Sequence, residues 1–428
     1  MNKKIKVLAY CDAPTAATGF STVSRNILMG LHATGKYEID VLGINYWGDP
    51  HNFPFRIWPV GIGGPDNDPY GRKKVFNMIC NMEFDILFFL QDTFILDLLP
   101  ELSRQLKSMG KKYKSIVYYP IDGTPKKAWI NNIAVCDYIV AYAEFAKALT
   151  KQVHTELSKD IYVINHGVNT AEFFPVQDTE RLNGFRKQYF GINSDKFIIT
   201  NINRNQRRKD IPRTISAFKE FKKQVPHSLL YLHMAKKDQG WDLEEVCKAY
   251  GLSTKTDVLF PENFGPNQGF PREVVNYIYN VSDCIVSTTL GEGMGLGWIE
   301  AMATKTPVIM PDNTAMSEFI TEDKGYLVKS GGTPSLYTVL NLDNEVVRPL
   351  VDVDDMVEKL VYVYNNRAEA MVKAENAYKW STMKMEWQKS IVPKWVNLFD
   401  SAYKELIHGD VIVKHKADKA GTIKSEIF

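Results

Sequence analysis

Two glutamates, Glu292 and Glu300, stand with seven residues between them in "GEGMGLGWIEAMATKTPVI", and glycines occupy positions 291, 293, 295 and 297 of the same stretch. Glycine lets a backbone turn tightly and approach a ligand with no Cβ in the way. The stretch follows the β-rich run "DCIVSTT" and leads into a helical pattern expected to begin near Gly295. The first amides of such a helix, around Met294 to Leu296, lack internal partners and carry the positive end of the helix dipole, which suits a phosphate. A carboxylate beside a phosphate is useful only if it accepts hydrogen bonds from hydroxyls. A phosphate flanked by polyols on both sides is the chemistry of a nucleotide sugar, with ribose on one side of the diphosphate and the activated sugar on the other.

Holding these groups requires a strand, a turn and a helix in sequence, and the chain repeats that unit. "IKVLAY", "EIDVLGI", "DILFFLQD", "SIVYYPIDG" and "DYIVAYAE" are short apolar runs, with helical spacing between them such as Val23, Ile27 and Leu31. A second series follows the turn "HGVNTAEFFP": "KFIITNINR", "SLLYLHMA", "TDVLF", "DCIVSTT", "TPVIMPD" and "GYLVK". Apolar strands alternating with helices imply parallel sheets covered on both faces. The expected fold class is α/β, with two Rossmann-like domains facing across a cleft at the carboxyl ends of their strands. The expected boundaries are 1–176 and 177–385 for the two domains, 386–406 for C-terminal helices packing back on the first, and 407–428 for a mobile tail in which "DVIV" would add a short strand. Pro393 is expected to kink or split the last helical stretch.

The bulk properties narrow the class. A chain of 428 residues exceeds one ordinary core, and 45% hydrophobic with 24% charged residues is a globular composition. A net charge of +2 favours neither nucleic acid nor a membrane surface. Five scattered cysteines, none in a C-x-x-C pair, fit a reducing compartment. The start "MNKKIKVLAYCDAP" has too short an apolar run for a secretory signal, and no window reaches the ~18 apolar residues of a membrane span. The expected location is the cytoplasm.

The segment from Leu290 to Asp312 resembles the signature of glycosyltransferase family 4, a group of retaining GT-B enzymes, whose usual form is E-G-F-G-L-x-x-x-E-A-M-A; the resemblance covers most of residues 5 to 405. It implies that Glu292 contacts the transferred sugar, that Glu300 holds the ribose hydroxyls, and that the amides of Gly293, Met294, Gly295 and Leu296 meet sugar and diphosphate. "NINRNQRRKD" is similar to the family's G-R-x-x-x-x-K-G segment, which implies that Arg204 and Lys209 neutralise the diphosphate, with Asp210 standing where the family has glycine. Fixed cations of this kind stabilise the negative charge that develops on a departing nucleoside diphosphate. The neighbouring Arg207 and Arg208 read as a solvated basic face.

In the first half, "TAATGFSTVSRNILMGL" is similar to the family's first glycine-rich loop, with Gly19 passing close to diphosphate or acceptor. Asp122 in "YYPIDG" lies where many members carry a histidine; it reads equally as a partner for a sugar or acceptor hydroxyl and as a turn cap with Gly123. His166 in "NHGVN" resembles the family's H-G-V-D segment and reads as a packed, hydrogen-bonded hinge residue. Asp352-Val353-Asp354 spells a metal-binding D-x-D, but its place before "DMVEKLVYVY" marks a helix cap. Neither a metal nor a cofactor is expected, the nucleotide sugar being a substrate.

The expected activity is transfer of a hexosyl or pentosyl group from a nucleoside-diphosphate sugar to a hydroxyl acceptor, such as a polysaccharide or lipid-linked precursor. Alternatives of the same fold are transfer to a hydroxymethylated DNA base, nucleotide-sugar epimerisation, and nucleotide-sugar binding without catalysis. "LPELSRQLKSMGKKYK" carries Leu99, Leu102, Leu106 and Met109 among basic residues; it reads as a helix covering its own sheet rather than one docking on lipid or nucleic-acid phosphates.

Overall fold

The computed structural model describes residues 3–61, 68–265 and 268–409. In the first half, β1 (Ile5–Asp12), β2 (Tyr37–Ile44), β3 (Arg56–Pro59), β4 (Ile86–Leu90), β5 (Lys114–Tyr119), β6 (Tyr138–Ala141) and β7 (Ile161–Val163) form one sheet. Its order is β3-β2-β1-β4-β5-β6-β7, and every pairing is parallel. In the second half, β8 (Phe197–Ile202), β9 (Ser228–His233), β10 (Val258–Leu259), β11 (Cys284–Val286), β12 (Val308–Pro311) and β13 (Tyr326–Val328) form another parallel sheet, ordered β10-β9-β8-β11-β12-β13. A small antiparallel hairpin follows, β14 (Tyr337–Val339) with β15 (Val347–Pro349).

Every apolar run quoted above that lies within the described residues contains a strand. The central strands β4 and β9 are buried along their whole length, so helices cover both faces and polar alternation is absent. The strands not anticipated, β3, β7 and the β14–β15 hairpin, are short and only partly buried, so they carry no continuous apolar signal.

In each sheet the strand order reverses beside the first strand: β1 lies between β2 and β4, and β8 between β9 and β11. Such reversals open a crevice at the carboxyl ends of the strands. The loops leaving β1, β4, β5 and β6 face those leaving β8 and β11, and together they wall one cavity.

The chain then returns to the first half. Helix Arg367–Lys384 ends at Met385, a π-helical turn spans Trp387–Ile391, and helix Val392–His408 lies on the first sheet. Trp395 packs edge-on against Phe88 and Tyr118, with ring centroids 5.6 and 4.7 Å away. Tyr37 Oη donates to Asp400 Oδ1 at 2.5 Å. The break falls upstream of Pro393, where Val168 N donates to the Met385 carbonyl (2.6 Å) and Trp387 N donates to the Val168 carbonyl (3.1 Å). Pro393 itself sits in the first turn of the final helix, where a missing N–H costs nothing. "DVIV" lies outside the described residues.

Helix Leu99–Ser108 buries Leu99, Leu102 and Leu106 against its own sheet and leaves Met109 exposed. Its apolar face is therefore spent on the core. No helix among the described residues is long and apolar enough to cross a membrane.

Candidate active site

The cavity between the two sheets measures about 1170 Å³ and is open at its rim. Gly19, Asp122, Arg204, Lys209, Glu292 and the loop Gly293–Leu296 all line it, so the fold brings nearly all the anticipated residues to one place.

At its centre Lys209 Nζ contacts Glu292 Oε1, while Arg208 Nη1 lies 3.4 Å from Glu292 Oε2. Lys209 is only 8% exposed. Burial alone would raise the Glu292 carboxyl, but Lys209 and Arg208 outweigh it and push it down to about 2. Burial pulls the Lys209 ammonium below its usual range, with Glu292 opposing.

The local backbone explains how Lys209 reaches this point. After β8 the chain makes a short turn, and Asp210 adopts a left-handed conformation (φ 43°, ψ 50°), as the glycine of the related motif would. Aspartate tolerates that region better than most residues, and Asp210 Oδ2 is tied to Arg213 Nε at 2.9 Å. Thr288 Oγ1, at the end of β11, holds the Asp210 and Lys209 carbonyls at 2.8 and 3.2 Å. The turn geometry thus survives the loss of the glycine.

Arg208 is a correction to the sequence reading. Rather than a solvated face, it forms a half-buried junction: its Nε lies 3.1 Å from Asp122 Oδ2, and its Nη1 donates to the Gly291 carbonyl. Asp122 is likewise neither a turn cap nor a free group. Its Oδ1 takes Arg348 Nη2 at 3.2 Å and its carbonyl takes Arg348 Nη1 at 2.6 Å. Arg348 belongs to β15 and is held by Asp343 as well. Asp122 therefore ties the two halves together across the cleft. Arg204 lines the cavity but is clamped by Asp238, with bonds of 2.6 and 3.1 Å. No sequence periodicity marks Arg348; Arg208 was signalled only by its position directly before Lys209.

The glycine loop turns as expected, but its helix covers Gly297–Ala303, two residues later than anticipated and only two turns long. Gly295 has φ +82°, and a Cβ there would sit 2.9 Å from the Trp298 ring. Trp298 Nε1 donates to the Met294 carbonyl at 2.7 Å and fixes the turn. Such a short helix has a small dipole, so most of the positive charge at this site comes from Lys209 and Arg208.

Other residues depart from expectation. Glu300 is buried and does not line the cavity: Tyr279 Oη donates to it at 2.9 Å and Arg272 Nη1 lies 3.4 Å away. Gly19 begins the helix Gly19–Ala33, and among the described residues a Cβ there would meet only Leu296 Cδ1 at 4.0 Å, so none of them demands glycine. His166 is packed between Tyr142 and Trp387, but neither ring nitrogen has a hydrogen-bond partner among the described residues, and burial pushes it down to about 3, leaving it neutral. Asp352 caps helix Val353–Asn365, accepting from Asp354 N and Asp355 N at 3.0 and 3.2 Å.

Asp92, at the end of β4, escaped the sequence reading. Burial, reinforced by Asp122 and opposed by Arg208, pushes its carboxyl up to about 7. The unfolded chain releases that proton near the usual aspartate value, so stability falls as pH rises from about 4 to about 7. Asp92→Asn removes this cost and is expected to raise Tm near pH 8 by about 2–4 °C, a gain that fades as pH falls toward 4. Calorimetry across that range checks it; an unchanged or lowered Tm near pH 8 contradicts it.

With this geometry in hand, the likeness to known proteins is specific. Sucrose-phosphate synthase of Thermosynechococcus elongatus matches with a TM-score of 0.72 at 17% identity, over 95% of this chain and 99% of that one. HepE of Anabaena, in complex with UDP-glucose, matches with a TM-score of 0.68 at 12% identity, over 93% of this chain and 100% of that one. The fold is GT-B, two facing α/β domains. Residues 185–338 match the family described as Glycosyl transferases group 1. Alpha-monoglucosyldiacylglycerol synthase of Acholeplasma laidlawii is 23% identical over 179 residues, 42% of this chain and 42% of that protein. The chain spans about half or less of the length of the curated relatives it matches.

Proposed function

We propose that this protein is a retaining glycosyltransferase of family 4 type that moves a hexosyl or pentosyl group from a nucleoside-diphosphate sugar to a hydroxyl acceptor. The observation that carries this reading is the meeting of Lys209, Arg208 and Glu292 at the bottom of the interdomain cleft, beside the glycine loop. The acceptor hydroxyl attacks the anomeric carbon, the bond from that carbon to the β-phosphate oxygen breaks, and the diphosphate leaves with the electron pair. The departing phosphate oxygen takes the acceptor's proton, so no side chain need be a strong base. Lys209 and Arg208, joined by Arg204 once it leaves Asp238, stabilise the charge on the leaving group in place of a metal. Glu292 accepts hydrogen bonds from the sugar and sets the attack geometry. Glu300 reaches the ribose hydroxyls by exchanging its longer contact, that with Arg272.

The HepE complex with UDP-glucose supports a nucleotide-sugar donor here. Five free cysteines suit action in the cytoplasm. The test is a thermal-shift panel of uridine, guanosine and adenosine diphosphate sugars. At least one is expected to raise Tm in the wild type and to do so less in Lys209→Ala. If none shifts the wild type, the donor assignment fails. Incubation with donor alone separates an epimerase, which would isomerise the sugar; NMR of a transfer product reads whether the anomeric configuration is kept.

A further inference from the structure

The β14–β15 hairpin is not held in place by a core. Tyr337, Val339 and Val347 are 46, 53 and 60% exposed, and among the described residues no part of Tyr337–Pro349 joins the apolar core of either sheet. A two-stranded hairpin without an apolar face is marginal by itself. The one buried residue of its strands is Arg348, at 3% exposure. Burying a guanidinium is costly unless carboxylates and carbonyls take its donors. A hairpin whose only buried strand residue is charged therefore serves to place that charge.

Arg348 spends its donors in two directions. Nε and Nη2 donate to Asp343 in the hairpin tip, Nη2 at 3.1 Å. Nη1 donates to the Asp122 carbonyl at 2.6 Å and Nη2 to Asp122 Oδ1 at 3.2 Å, both in the other half. Two further contacts cross beside it: Lys126 Nζ lies 2.5 Å from Glu345 Oε2, and a Cβ on Gly123 would come within 2.8 Å of Val346 Cγ1. The tip is bent to make them. Leu342, Asn344 and Glu345 have φ of 62°, 55° and 55°, which non-glycine residues adopt at a cost, and Leu342 gains no burial by it, being 89% exposed. Such strain persists where contacts elsewhere over-determine the backbone.

Asp122 passes the effect on. Its Oδ2 lies 3.1 Å from Arg208 Nε, and Arg208 Nη1 lies 3.4 Å from Glu292 Oε2. The series Asp343, Arg348, Asp122, Arg208, Glu292 alternates in charge and crosses the cleft twice. With its carbonyl and Oδ1 both pinned by Arg348, Asp122 keeps Oδ2 aimed at Arg208. We propose that the hairpin is a strap fastening the two halves, and that Arg348 is a positioning residue for transfer. Through Asp122 it holds Arg208 beside Glu292, where the leaving diphosphate needs a cation. The role given to Arg208 rests on the glycosyltransferase reading; the fastening of the halves does not.

The test uses the full chain. Small-angle X-ray scattering without ligand compares the wild type, Arg348→Ala, and a variant in which Gly-Gly replaces Tyr337–Pro349. The excision leaves ends that already meet, since Leu350 N donates to the Leu336 carbonyl at 2.8 Å. The wild type is expected to scatter as the closed arrangement, and both variants with a larger maximum dimension. Glu345→Gln removes only an exposed ion pair and is expected to scatter like the wild type. The second readout is release of nucleoside diphosphate from the nucleotide sugar that the thermal-shift panel selects, with water as acceptor. Arg348→Ala is expected to lower its kcat by about tenfold or more with the donor KM nearly unchanged, and Arg348→Lys, which keeps the charge, to recover part of the loss. The idea is overturned if the wild type is already open, if both variants scatter as closed, if Glu345→Gln opens the chain as far as Arg348→Ala, or if Arg348→Ala turns over like the wild type. Failure of the donor reading looks different: no nucleotide sugar then shifts the wild type, and scattering still decides the strap.

Discussion

Lys209→Ala is expected to lower the transfer rate by about 10²–10³-fold in a protein that still folds. The rate argument is electrostatic. Lys209 is buried in the cleft, where a fixed charge acts through little solvent, and the leaving diphosphate gains negative charge as its bond breaks. The folding argument rests on what remains. Removing one partner of a buried pair is severe when it strands a charge, but Arg208 stays 3.4 Å from Glu292, so the stability loss is held to about 1–3 kcal/mol. Glu292→Gln should lose transfer as well, through lost orientation of the sugar rather than lost charge balance. Single-turnover kinetics with calorimetry separate the effects. Wild-type turnover in both variants, with a confirmed donor and acceptor, would remove these residues from the mechanism.

Gly291→Ala is expected to reduce turnover by about 10²-fold or more with a much smaller change in Tm. A Cβ at residue 291 would lie 1.9 Å from the Asp122 carbonyl oxygen, across the cleft, and 3.1 Å from Arg348 Nη1. The backbone there also has φ +157°, so an added side chain brings local strain of about 1–3 kcal/mol. Neither sheet core contains the clash, and the relief available is to move the halves apart. That movement opens the junction of Asp122 with Arg208 and Arg348, and a displacement near 1 Å is enough to spoil an aligned reaction. Gly184→Ala is the control: it lies in helix Thr179–Phe190 with nothing within 4 Å of the added carbon, and both rate and stability should hold. Equal activity in the two variants would mean that the cleft does not work in this closed arrangement.

The contrast between what was and was not readable follows from the range of the interactions. β4 and β9 announce themselves because buried parallel strands need uninterrupted apolar runs, a property of consecutive residues. The glycine loop and Lys209 were readable for a similar reason, as local spacing sets a local turn. Arg348 was not, because its partner Asp122 lies far away in sequence and meets it only when the two sheets face each other. The hairpin that carries it has strands of three residues and a tip with Leu342, Asn344 and Glu345 at positive φ, a shape with no periodic signature. His166 shows the opposite limit. Its burial was foreseeable from "NHGVN" between apolar segments, whereas the lack of any hydrogen-bond partner is a fact of three-dimensional packing. Glu300 sits at the expected spacing, yet Tyr279 and Arg272 turn it from the cavity.

The most direct measurement is a crystal structure of the chain with its nucleoside-diphosphate sugar bound. The account predicts a diphosphate within hydrogen-bond reach of Lys209 Nζ and the Gly293–Leu296 loop, with the Glu292 carboxylate on the hydroxyls of the sugar. A donor bound elsewhere, with the Lys209–Glu292 pair undisturbed and facing empty solvent, would contradict it.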